Sequence, residues 1–147
     1  MNSMERSIEH SNTIAVSYDA TVALLDARPG VVAASPMSLG IGGVRREVVV
    51  TIDEVLVSAD RAALPIEWHA ADHARLFPTF LGELVAEPSV AGTRLTLNGT
   101  YWVPLGPVGR FGDGVVGHRI AREAVRTALD TFAQRLVQLH AIADSTV

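Results

Sequence analysis

The stretch that decides the fold is Asp113–Ile142, DGVVGHRIAREAVRTALDTFAQRLVQLHAI. At about 100° per residue, Ala121, Ala124, Val125, Ala128, Leu129, Phe132, Leu136 and Leu139 fall on one face of a helix. Arg119, Glu123, Arg126, Asp130 and Gln134 fall opposite. Such a stripe must be buried, and the sequence before it supplies a partner. Arg46–Ser58 (REVVVTIDEVLVS) is rich in β-branched residues and predicts a strand that bends or breaks near Asp53-Glu54. In Leu64–Ala70 (LPIEWHA), Leu64, Ile66 and Trp68 share one face; Pro65 suggests an edge or strand-start position. Thr79–Glu87 (TFLGELVAE) turns Phe80, Gly82, Leu84 and Ala86 inward, and Pro88–Gly92 is its turn. Thr93–Val103 (TRLTLNGTYWV) does the same with Leu95, Leu97, Gly99 and Tyr101, leaving Trp102 outward. Consecutive strands joined by short turns indicate an antiparallel sheet. The expectation is an α+β fold in which a curved sheet wraps around the C-terminal helix.

The first part of the chain is weaker in pattern. Asn12–Ser17 (NTIAVS) reads as a short strand and Asp19–Ala27 (DATVALLDA) as a short capped helix that Pro29-Gly30 stops. Val31–Leu39 is apolar without a clear period, and Gly40, Gly42 and Gly43 mark a turn. Residues 1–11 and 144–147 are expected as flexible ends around one domain at 12–143.

Composition excludes several chemistries. The chain has 147 residues, no cysteine and a net charge of −4. That length suits one domain. There is no thiolate zinc site, disulfide or cysteine nucleophile. All 12 basic residues are Arg, so a Schiff-base lysine and a P-loop lysine are excluded as well. Mild acidity argues against nucleic acid as a partner. No signal-peptide pattern and no spanning apolar run occur, so a cytoplasmic location without a membrane span is the expectation.

The candidate chemistry is sparse. His118 lies on the apolar helical face, between Gly114, Gly117 and Ala121. It can act as an acid/base or orient a ligand, or be a structural His bonded to a sheet carbonyl or to Tyr101. Arg122 borders that face, within reach of a ligand carboxylate or with its head in water. The small residues there mark either a cavity or close packing of helix on sheet. Trp68 and Tyr101 suit a pocket wall and suit a core equally. His69-x3-His73 has helical spacing with Asp72 adjacent as a third ligand, but His69 ends a strand, so the two rings do not share a face, and there is no HExxH pattern; no metal is expected. No dinucleotide fingerprint and no G-x-S-x-G elbow occur, and no cofactor is implied.

Four segments, LPIEWHA (Leu64–Ala70), LFPTFLGELVAEP (Leu76–Pro88), TRLTLNGTYWVPLGPVG (Thr93–Gly109) and DGVVGHRIAREAVRTALDTF (Asp113–Phe132), together resemble the START-like (SRPBCC) superfamily, in an uncharacterised bacterial branch similar to polyketide cyclase-like proteins. The resemblance implies a helix-grip fold and an elongated cavity holding a hydrophobic small molecule, lipid- or polyketide-like. The residues placed on its wall are Trp68, Phe80, Leu84, Leu97, Tyr101, His118 and Arg122. Two other functions stay open: a cyclase or dehydratase with His118 as acid/base, and a non-catalytic homodimer contacting through exposed sheet or through Trp102.

Overall fold

In chain order the described elements are β1 (Ser3–Ile14), α1 (Tyr18–Ala27), α2 (Pro29–Val32), β2 (Met37–Ile41), β3 (Val44–Ile52), β4 (Leu56–Ser58), β5 (Arg61–Ala70), β6 (Thr79–Ser89), β7 (Gly92–Pro104) and α3 (Asp113–Ser145). The computed structural model describes residues 3–41, 44–71, 79–104 and 113–145; it leaves out the side chains of residues 3–5, 40, 41, 44, 103, 104 and 113–117. The seven strands form one antiparallel sheet in the order β1-β7-β6-β5-β3-β2, with β4 pairing β5 beside β3.

The period-2 pattern sets the inner face. Leu64, Ile66 and Trp68 of β5, Phe80, Leu84 and Ala86 of β6, and Leu95, Leu97 and Tyr101 of β7 are all buried. Glu67 and His69 alternate outward and are exposed. The sheet curls where two glycines meet. Gly82 and Gly99 are directly opposite each other across β6 and β7. A Cβ on Gly82 would run into the Asn98 carbonyl oxygen and the Gly99 Cα; one on Gly99 would run into β6 backbone. Two side-chain-free positions therefore let the strands bend over each other there.

That curl brings both edge strands, β1 and β2, against α3, together with β7, α1 and α2. The middle strands β5 and β6 stand back from the helix, and large side chains fill the gap. Trp68 and Phe80 stack with centroids 4.3 Å apart, in one core with Leu64, Leu84, Leu97, Leu129, Phe132 and Leu136. A curved antiparallel sheet gripping a long C-terminal helix is the helix-grip fold. No helix among the described residues is long and apolar enough to cross a membrane.

The helical stripe matches the expected one at most positions: Ala121, Ala124, Val125, Ala128, Leu129, Phe132 and Leu136 are buried and Arg119, Arg126, Asp130 and Gln134 are exposed, while Leu139 and Glu123 are half-buried. The break between β3 and β4 falls at residues 53–55, where Asp53-Glu54 predicted it.

Three readings differ. The strand expected at Asn12 begins at Ser3, and the residues taken for a loose end pair with β7 from Ser3–Pro104 to Ile14–Thr93. The polar pattern of β1 hid it, because an edge strand carries few inward apolar residues. Pro29 stops α1 but also opens α2, standing in the first turn where a missing N–H costs nothing. Of the two positions expected for Pro65, the strand start fails, since it lies mid-strand opposite Glu83, and the edge holds, since its other side falls between the β3 and β4 pairings of β5. Its carbonyl accepts from the Asp53 N–H at 3.2 Å. Backbone N and O of one residue in an antiparallel strand point the same way, so the absent N–H faces the break at 53–55, where no ladder bond is lost.

The start of α1 shows how the N-terminal third is tied down. Ser17 caps it, accepting from the Ala20 N–H at 3.2 Å. Behind the cap, the buried Thr93 hydroxyl donates to the Val16 carbonyl at 2.7 Å. Its single proton is thereby used, so the bond at 3.0 Å to the buried Thr21 hydroxyl runs from Thr21 to Thr93. Arg135 of α3 reaches α2 and donates to the Val32 carbonyl at 2.9 Å.

Candidate functional site

Three of the expected wall residues are joined by hydrogen bonds near the N-terminal end of α3. The Tyr101 hydroxyl lies 2.5 Å from His118 Nδ1. His118 Nε2 lies 2.9 Å from an Arg122 terminal nitrogen. The i, i+4 spacing of His118 and Arg122 puts the two side chains one above the other on the helix. The β7 register brings Tyr101 beneath them, across from Phe80 on β6 and Arg6 on β1. The result is a chain running from solvent inward: exposed Arg122, half-buried His118, buried Tyr101.

Tyr101 and Ala121 form a small apolar cluster of their own, separate from the main core and linked to it through Ile8. Ala121 is small, so the helix gives Tyr101 and His118 room to meet. The electrostatics of the phenol follow from this placement. Burial pushes the Tyr101 pKa above its ordinary 10.0, and the guanidiniums of Arg6 and Arg122 oppose that rise. The hydroxyl therefore keeps its proton at neutral pH.

The other expected wall residues, Trp68, Phe80, Leu84 and Leu97, are at most 1% exposed and lie in the main core. The aromatic row links the two groups, because Trp68 faces Phe80 and Phe80 faces Tyr101 on adjacent strands. Trp102, the contact expected of a homodimer, is half-buried opposite Glu5 and Thr79. His73 and Asp72, and the loop glycines Gly106, Gly109 and Gly112, lie outside the described residues, as do the side chains about Gly114 and Gly117. Among the described residues no group of His, Asp and Glu is placed to hold a metal.

Two features were not read from the sequence. Arg135 looked like one more arginine, yet burial lowers its pKa and its guanidinium holds α2. An open groove of about 520 Å³ runs between the end of β1 and the second half of α3, lined by Asn12, Ile14, Asp130, Gln134, Val137 and others. In its wall the buried Asn12 Oδ1 lacks a hydrogen-bond partner among the described residues. The only available signal was the run of amides Asn12, Gln134 and Gln138, which no spacing rule links.

No protein-family profile matches the sequence, and no curated protein sequence matches it. Solved structures do match along nearly the whole chain. The Mll3558 protein of Rhizobium loti aligns at TM-score 0.52 and 14% identity, over 92% of this chain and 99% of that one. An uncharacterised protein of Rhizobium leguminosarum aligns at TM-score 0.50 and 11% identity, over 92% and 97%. At these identities the likeness establishes the shared fold and nothing of the chemistry.

Proposed function

We propose that the protein binds an apolar small molecule, lipid- or polyketide-like, with the polar end of the ligand at Tyr101, His118 and Arg122. The observation that carries this reading is the hydrogen-bonded chain itself. A core needs no exposed arginine wired through a histidine to a buried phenol, whereas a binding site needs a few convergent polar groups beside apolar walls. Here the walls are Phe80, Ala121 and Ile8, and the polar groups converge beside Ala121, outside the main core. The helix-grip fold supports the reading by placing this end between sheet and helix.

The test is thermal unfolding with a panel of fatty acids, long-chain ketones and aromatic polyketides. A ligand at 100 times its Kd adds about 2.7 kcal/mol, which raises Tm by roughly 5–10 °C for a domain of this size. If no member of the panel raises Tm, the binding reading fails.

A second reading is a cyclase- or dehydratase-type enzyme with His118 as acid/base. The close pairing of Tyr101 with His118 favours it, since such a pair can pass a proton. It requires His118→Gln to abolish turnover while Tm and ligand affinity stay near wild type.

A further inference from the structure

We infer that Tyr101, and not His118, meets the ligand, as a hydrogen-bond donor, and that the ligand's polar end is an acceptor oxygen, a carbonyl or a carboxylate. This rests on the binding reading above and follows from counting protons. A guanidinium has only donors. Arg122 stands 2.9 Å from His118 Nε2, so that nitrogen must present its lone pair. An imidazolium would set an N–H against an N–H there. The ring is therefore neutral, with its proton on Nδ1. Nδ1–H then donates to the Tyr101 oxygen. The phenol cannot also donate back along that bond, so its own hydrogen points elsewhere.

No acceptor among the described residues takes it. The Tyr101 hydroxyl bonds only to His118 there, and the inner-face neighbours Phe80, Ala121 and Ile8 are apolar. Burial holds the hydroxyl protonated, so it donates and does not act as a base. The positive groups flanking it, Arg6 opposite on β1 and Arg122 on α3, favour an oxygen carrying partial or full negative charge. His118 and Arg122 are positioning residues: Arg122 fixes the tautomer, and the tautomer turns the phenol outward from the chain. Both bonds accepted by a neutral group become stronger when the next donor is polarised, so the chain also sharpens the phenol as a donor.

Two measurements decide this. In the ligand-free protein, ¹⁵N spectra assigned with His118→Gln should show His118 with a proton-bearing, pyrrole-like Nδ1 and a pyridine-like Nε2. The reversed pattern overturns the assignment, whatever binds. The second is displacement of the apolar fluorophore 1-aminoanthracene by 2-undecanone, decanoate and decylamine at neutral pH. The ketone and the carboxylate should compete at least about tenfold better than the amine, the worth of one buried hydrogen bond. Tyr101→Phe should remove that advantage, read as the ratio of ketone to amine displacement constants within the variant, whatever its affinity for 1-aminoanthracene. Competition by the ketone assigns a neutral carbonyl; competition by decanoate alone assigns a carboxylate. If 1-aminoanthracene does not bind the wild type, the binding reading itself fails. If it binds, and Tyr101→Phe changes no competitor, the donor assignment is overturned while the binding reading stands.

Discussion

From Ala124 to Leu136, α3 sets Val125, Leu129, Phe132 and Leu136 into one continuous core with Trp68, Phe80, Leu84 and Leu97. Within the two turns before it, the same helical face carries His118 beside Ala121, over a tyrosine that belongs to a separate cluster. Periodicity treats these two stretches alike, yet one is a solid apolar joint and the other is a wired polar end. The difference lies in side-chain size. Large residues close the distance between helix and curled sheet, and small ones leave a place for groups that bond to each other. Stability should accordingly be concentrated at the solid end and recognition at the polar end.

Phe132→Ala is the hardest blow to that division. Phe132 is fully buried at the solid end, and its truncation should cost about 4 kcal/mol by lost transfer energy and cavity formation. Urea unfolding of the variant measures it. A cost under about 1 kcal/mol would mean that this end is loose as well, and the contrast between the halves would collapse.

Much of the fold was legible because it rests on period. The outward Glu67 and His69, the inward Phe80, Gly82 and Leu84, and the face from Ala121 to Leu136 all follow from counting residues. β1 was not legible over its first half, since its stability comes from backbone pairing with β7 and not from its own side chains. Only the edge alternative for Pro65 holds, and choosing it was not legible for a related reason: whether a strand tolerates proline depends on what its neighbour does, and the break at 53–55 is on another segment. At the candidate site, Tyr101 and His118 were placed on facing surfaces by pattern alone, and their bond was one of the alternatives left open. The proton order was not legible, because it needs the i, i+4 contact of Arg122 with one particular ring nitrogen.

Buried polarity alone does not mark the recognition end, and Thr93→Val separates the two uses of it. Thr93 donates to the Val16 carbonyl and accepts from Thr21, all in the interior. The substitution keeps the shape and leaves a buried carbonyl and a buried hydroxyl without partners. It should cost about 2 kcal/mol and leave binding of apolar probes unchanged. A loss of probe affinity without a loss of stability would move this cluster from the scaffold to the site.

Tyr101→Phe should have the smallest effect at neutral pH, within about 1 kcal/mol, since the aromatic contacts with Phe80 and Ala121 remain. Its effect appears in alkali. The folded state holds the phenol's pKa above 10.0, while the unfolded chain releases that proton near 10.0. Above that pH the unfolded state binds fewer protons than the folded state, so stability falls as pH rises. The contribution is whole below pH 10.0 and is lost as pH climbs toward the folded value. Tyr18, whose pKa is raised first by burial and then by Asp60, Asp19 and Glu87, adds to the same loss. The difference between wild type and Tyr101→Phe isolates the Tyr101 share. The urea midpoint should fall less between about pH 8 and about pH 10.5 in the variant than in the wild type. Equal alkaline losses in both proteins would show that the phenol is not held apart from water, and the polar end of α3 would then be an ordinary surface.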